Sequence, residues 1–134
     1  MGRRVVARLA GEARIVALDV REPRAGDRLA GVTYQKADIR DAALEKTLVE
    51  HAIDTVVHLA AVVTPGPDSS RALEYAIDVT GTRHVLDACI GAGVRQLVYT
   101  SSGAAYGYHA DNPVPLRESD PLRGNETFCL LYTS

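Results

Sequence analysis

Apolar residues in this chain recur in two rhythms, three or four apart in some stretches and contiguous in others, and their alternation predicts helices interleaved with short buried strands. In residues 2–10, Val5, Val6 and Leu9 share a face from which Arg3, Arg4 and Arg8 are excluded, the pattern of an amphipathic helix that Gly11 can end. Arg14 to Val20 reads as a mostly buried strand closing on the carboxylate of Asp19, and Val32 to Lys36 as a short strand closing at Ala37-Asp38-Ile39. Asp41 is placed to cap a helix running to His51, with Leu44, Leu48 and His51 on one stripe. Asp54 to Ala61 is the strongest strand signal and ends in small residues, after which Thr64-Pro65-Gly66-Pro67 breaks regular structure. A single long helix is expected from Ser69 or Ser70 to Ala92, with Leu73, Ile77, Val85, Ala88 and Cys89 facing inward. Gly81 costs that helix about 1 kcal/mol against Ala, which suits close packing on a sheet or ligand. Gly91 and Gly93 stop it, and Leu97-Val98-Tyr99 then forms a buried strand running into Thr100-Ser101-Ser102 and a Pro-rich loop.

This rhythm predicts an α/β fold with a doubly wound parallel sheet, in one domain without internal repeats. In such sheets ligands lie beyond the carboxyl ends of the strands. The candidate chemistry is therefore at Asp19, at Asp38, at the small residues after His58, and at the hydroxyls of Thr100, Ser101 and Ser102. Three consecutive hydroxyls can also cap a helix or form a turn, and Asp19 or Asp38 can be a turn former or a helix-leading carboxylate.

Composition narrows the picture only a little. The chain has 134 residues, 46% of them hydrophobic and 24% charged, as expected of a soluble globular domain with a core of its own. Its net charge of -2 points to no nucleic-acid partner. Residues 1–40 hold nine Lys/Arg against five Asp/Glu, a skew read as solvated helix faces. Cys89 and Cys129 are too few for a disulfide scaffold and favour a reducing cytoplasm. No run suits a membrane span or signal peptide, and His, Cys and carboxylates are not spaced to hold a metal.

The stretch Ser101-Ser102-Gly103-Ala104-Ala105-Tyr106-Gly107 resembles the strand-end motif of the extended short-chain dehydrogenase/reductases, the NAD-dependent epimerase/dehydratase family. Asp19, Asp38-Ile39, His58-Leu59-Ala60-Ala61 and Ala76 to Thr82 resemble further family segments in the right order. The resemblance implies a Rossmann-like NAD(P)-binding fold and hydride transfer at a carbinol or carbonyl carbon, with a nucleotide-sugar as substrate. It makes Ser102 the catalytic hydroxyl with Ser101 beside it. It assigns Gly2, Asp19, Asp38, Ile39, Leu59, Ala60, Ala61, Asp78 and Thr100 to the cofactor. The negative charge of Asp19 favours NAD over NADP, against which Arg21 and Arg24 weigh. His58 itself reads as a satisfied core histidine. Asp78 stands where the family pattern has Asn, which can donate a hydrogen bond that an ionised Asp cannot.

Two parts of the family pattern are expected but not found. Met1-Gly2 looks like the end of a Gly-rich turn whose preceding strand is missing, and no Tyr-x-x-x-Lys occurs anywhere in the 134 residues. Residues 1–128 are therefore expected to be a partial dinucleotide-binding domain and the tail 129–134, including Tyr132, to be unlike the family. The absent strand would lie between Arg14–Val20 and Thr55–Ala61, so the isolated chain is expected to aggregate or to behave as a molten species. The full-length form would be an enzyme, with a homodimer as one arrangement. The competing reading is a non-catalytic relative that binds a dinucleotide as a sensor.

Overall fold

The computed structural model describes residues 1–64, 66, 67 and 69–123. Pro65 of the expected break, Cys129, Tyr132 and the rest of the tail 129–134 lie outside the described residues. Helix α1 (Gly2–Leu9) leads through Gly11, whose φ of 88° turns the chain where a side chain would be strained, into β1 (Ile15–Asp19). A short 3-10 turn precedes β2 (Val32–Lys36), and α2 (Leu44–Glu50) leads to β3 (Thr55–His58). Then come α3 (Arg71–Tyr75), a π-helical turn over Ala76–Gly81, α4 (Thr82–Gly91), β4 (Gln96–Tyr99) and a 3-10 turn over Gly103–Tyr106. Among the described residues no helix is long and apolar enough to cross a membrane.

Both strand pairings are parallel. β1 lies beside β2, from Ile15 opposite Val32 to Asp19 opposite Lys36, and β3 beside β4, from Thr55 opposite Gln96 to His58 opposite Tyr99. The pairs stay separate as two two-stranded sheets. A doubly wound order would set one more strand between β1 and β3, and no such strand lies among the described residues. Both sheets nevertheless rest on one core. Val85, Ala88 and Cys89 fall on a single face of α4 and meet Leu44 and Leu48 of α2, while Leu18, Val56 and Leu97 pack on the cluster from the strands.

Several expectations need correcting. The strands are half-buried rather than mostly buried, because the α2/α4 layer covers only one face of β3 and β4. Val56 and Leu97, opposite each other, turn toward that layer, and the next pair, Val57 and Val98, turns away and stays exposed. β3 ends at His58 rather than Ala61, since its partner β4 stops at Tyr99. The capping role of Asp41 falls one turn early: its Oδ1 accepts the N–H of Ala43 at 2.9 Å, and the regular helix begins at Leu44.

The long helix is interrupted by the π turn, a wider coil that admits one extra residue and shifts the inward stripe. Leu73, expected to face inward, is 37% exposed, and the carboxylate of Asp78 is buried instead. Of the two expected starts, Ser69 and Ser70, it is Ser70 that caps the helix, its Oγ accepting the N–H of Leu73. Gly81 does pack closely, against the side chain of Ile39 in the turn after β2.

Candidate functional site

At the carboxyl end of β1, Asp19 is exposed, and its Oδ1 accepts the backbone N–H of Arg21 at 2.9 Å in a local turn. Its carbonyl accepts the N–H of Ala37 at 3.0 Å, which ties the end of β1 to the chain leaving β2. Asp38 follows. Its Oδ1 takes the backbone N–H and Nε–H of Arg40, and its Oδ2 takes Nη2–H at 2.6 Å. This guanidinium fork holds the Asp38 carboxyl down to about 2, and it lines an open pocket with Arg40 and Asp41. Ile39 is gripped from α4: its carbonyl oxygen lies 2.7 Å from Nδ1 of His84.

The end of β3 is more deeply set. His58 is 4% exposed, hydrogen-bonded to Thr82 Oγ1 at 3.1 Å and stacked on Tyr99 with ring centroids 5.5 Å apart. Burial pushes its imidazole down, toward the neutral form, as befits a satisfied core histidine. Leu59 then approaches the start of α1, its Cδ1 lying 3.9 Å from where a Cβ on Gly2 would stand. Ala60 and Ala61 are exposed. The N–H of Val62 donates to Oδ1 of Asp78 at 2.8 Å.

Asp78 is 3% exposed, and its Oδ2 has no hydrogen-bond partner among the described residues. Burial raises the Asp78 carboxyl; the Val62 N–H opposes that and the nearby negative charge of Glu74 adds to it.

At the end of β4, the N–H of Thr100 reaches the carbonyl of His58 at 3.4 Å. Ser101 and Ser102 are exposed, and Ser102 Oγ accepts the N–H of Ala104 at 3.2 Å, capping the 3-10 turn. Both readings of this hydroxyl are thus compatible, because an oxygen that accepts a cap bond still carries a proton to donate.

The structure brings the turn after β2, the end of β3 and the loop after it onto the single stretch 78–84, through Asp78, Gly81, Thr82 and His84. Gly2 meets Leu59, and Thr100 meets His58. Sequence reasoning missed Thr82 and His84. A spacing signal existed, since Asp78 and Thr82, and Gly81 and His84, stand one helical turn apart, but nothing local named their partners.

Two pairs of parallel strands, with candidate residues at their carboxyl ends and helices packed against them, define a Rossmann-like α/β fold of the dinucleotide-binding class. The sequence matches the model of the NAD dependent epimerase/dehydratase family over residues 1–129, and the chain belongs to that family. It is 36% identical over 113 residues to the UDP-glucose 4-epimerase of Halalkalibacterium halodurans, covering 83% of this chain and 33% of that enzyme. Among solved structures it is similar to a short-chain dehydrogenase/reductase superfamily protein from Agrobacterium tumefaciens with bound NAD, at 32% identity and a TM-score of 0.77, covering 97% of this chain and 38% of that one. It is also similar to the UDP-glucose-4-epimerase from Stenotrophomonas maltophila with bound NAD and formylated UDP-arabinopyranose, at 28% identity and a TM-score of 0.72, covering 91% and 39%. The chain thus spans between a third and two fifths of the length of these relatives.

Proposed function

We propose that this chain is the portion of an NAD-dependent nucleotide-sugar epimerase or dehydratase that receives the adenosine side of the cofactor and presents a serine to the substrate. The observation that carries this reading is the placement of Asp19, Asp38-Ile39, Leu59 to Ala61 and Thr100 to Ser102 at the carboxyl ends of parallel strands. The relatives with bound NAD and a UDP-sugar support the cofactor and substrate class.

The residues present fit the adenosine half of a dinucleotide. Asp19 offers an exposed carboxylate to ribose hydroxyls, and its charge disfavours a 2′-phosphate. Asp38 and Ile39 border the adenine, and the small side chains of Ala60 and Ala61 leave room for a flat group over the backbone. At Gly2, at the amino end of α1, a Cβ would come no nearer among the described residues than 3.9 Å to Leu59, which leaves the backbone there open to close approach. Asp78 anchors the loop at Val62 and keeps this floor in place. Held by these residues, NAD would supply the hydride acceptor for the carbinol carbon. Ser102 Oγ holds a substrate oxygen by donating its proton while the Ala104 N–H fixes its orientation.

Positioned proton transfer is worth about 10²–10⁴-fold, and no Tyr-x-x-x-Lys is present in the sequence, so the chain by itself is expected to be inactive. Equilibrium dialysis of the purified chain tests the binding reading. NAD and AMP bind at millimolar concentration and NADP more weakly; Asp19→Ala lowers the affinity and Ser102→Ala leaves it unchanged. Equal retention of NADP, or no retention of NAD, overturns it. Turnover of UDP-glucose by the chain overturns the expectation of inactivity.

A further inference from the structure

His84 belongs to no motif that the sequence singles out, yet it makes a bond across 45 positions of sequence. It is half-buried in the first turn of α4, with Nδ1 2.7 Å from the carbonyl oxygen of Ile39. A carbonyl oxygen carries no proton, so Nδ1 is the donor, which fixes the tautomer of a neutral ring with its hydrogen on that nitrogen.

Gly81, one turn earlier on the same face, grips the same residue differently. A Cβ at Gly81 would stand 2.7 Å from Cδ1 and 2.9 Å from Cγ1 of Ile39, so only glycine lets that side chain settle against the helix. The two contacts constrain both ends of one residue, its peptide carbonyl and its side-chain tip. Asp38 is meanwhile folded back by Arg40. Between Gly81 and His84, Thr82 holds His58 at the end of β3. One turn of helix thereby sets the spacing between the turn after β2 and the end of β3.

We propose that His84 is a positioning residue for the cofactor, which acts by orienting the Asp38-Ile39 turn, with Gly81 providing the seat for the Ile39 side chain. This rests on the adenosine-site reading above. Fixing the Ile39 carbonyl fixes the plane of the Ile39–Arg40 peptide, whose N–H is the one that Asp38 Oδ1 accepts, so the edge offered to the adenine is set in advance of binding. Preorganisation of this kind strengthens binding by lowering the ordering cost.

Three substitutions distinguish positioning from general support. The amide nitrogen of Asn branches from Cγ as Nδ1 does and can donate to the Ile39 carbonyl, whereas that of Gln lies one atom further out, like Nε2. His84→Ala and His84→Gln are expected to weaken NAD and AMP about five- to tenfold, the effect of one hydrogen bond, and His84→Asn to restore most of the affinity. A second readout does not depend on ligand. The rate of tryptic cleavage after Arg40, taken relative to that after the exposed Arg28, is expected to rise in the Ala and Gln variants and to return toward the parent value in the Asn variant. If the parent chain fails to bind NAD, the adenosine-site reading falls, and the cleavage ratio alone then decides the role of His84. An unchanged ratio in His84→Ala, or Asn and Ala variants that behave alike, overturns the proposal.

Discussion

The backbone N–H of Val62 donates to Oδ1 of Asp78 at 2.8 Å, tying the loop that leaves β3 to the π turn, while Oδ2 of the same carboxyl is buried without a partner among the described residues. An ionised carboxylate there would have one oxygen facing no donor, which is costly away from water. Burial accordingly raises the proton affinity of Asp78 in the folded chain above its ordinary value.

The raised proton affinity of Asp78 makes stability depend on pH. The unfolded chain ionises Asp78 in the ordinary carboxylate range near pH 4, whereas the folded chain retains the proton to higher pH. Its contribution to stability is fully present below the ordinary value and is lost as pH rises through the raised one. Asp78→Asn keeps an acceptor for Val62 and does not titrate, so the variant should gain on the parent as pH increases. Urea midpoints followed by circular dichroism from pH 4 to 8 measure this, and a pH-independent difference between the two proteins would refute it.

His58 gives the opposite dependence. Its folded value is depressed by burial, so its contribution is present above the ordinary histidine value near 6.5 and is lost as pH falls below it. Thr82→Val removes the hydroxyl that pairs with the ring and should cost about 1–3 kcal/mol, and Thr82→Ser should recover most of that. The same urea titration at pH 7.5 reads both variants. A loss for Ser with none for Val would mean that the methyl group of Thr82, rather than its hydroxyl, matters.

At Gly81 two effects compete. Alanine favours a helical backbone by about 1 kcal/mol, but its Cβ would crowd Ile39 Cγ1 and Cδ1, and overpacking costs about 1–3 kcal/mol. Gly81→Ala should therefore be neutral to destabilising in spite of its better propensity. Combined with Ile39→Ala, which removes both crowded atoms, it should become stabilising relative to Ile39→Ala alone. A double-mutant cycle that is additive within about 0.5 kcal/mol would show that the contact carries no energy.

The Asp38–Arg40 fork titrates in the other direction from Asp78. Asp38 is held down to about 2, so the pair's contribution is present above the ordinary carboxylate range and is lost as pH falls toward that value. Both side chains are about a third or more exposed, and solvent screening keeps the contribution of the pair small. Arg40→Ala should return Asp38 to the ordinary range in a carbon-detected NMR titration with little change in the urea midpoint. An Asp38 value still near 2 would mean that the backbone N–H, not the guanidinium, holds it down.

The separation of β1–β2 from β3–β4 has a consequence for solution behaviour. Each pair keeps an edge that no strand occupies among the described residues, and the apolar Val57 and Val98 lie exposed on one sheet. Light scattering should find species larger than a monomer whose size grows with protein concentration. A strictly monomeric chain with a sharp reversible thermal transition would mean that the edges are protected in some other way.

Much of this was legible in residue order alone. The four strands, α1, α2 and a helix start at Ser69 or Ser70 follow from apolar periodicity and from glycine and proline punctuation, because these signals act within a few residues. The placement of Asp19, Asp38 and Ser102 at strand ends follows for the same reason. Tertiary structure decided the rest. The π turn, the burial of Asp78 in place of Leu73, and the bonds from Thr82 to His58 and from His84 to Ile39 join residues 24 and 45 positions apart, and no local period encodes them. The strands are half-buried for a similar reason. Periodicity marks a face as apolar, but only the arrangement of helices and neighbouring strands determines whether that face is covered.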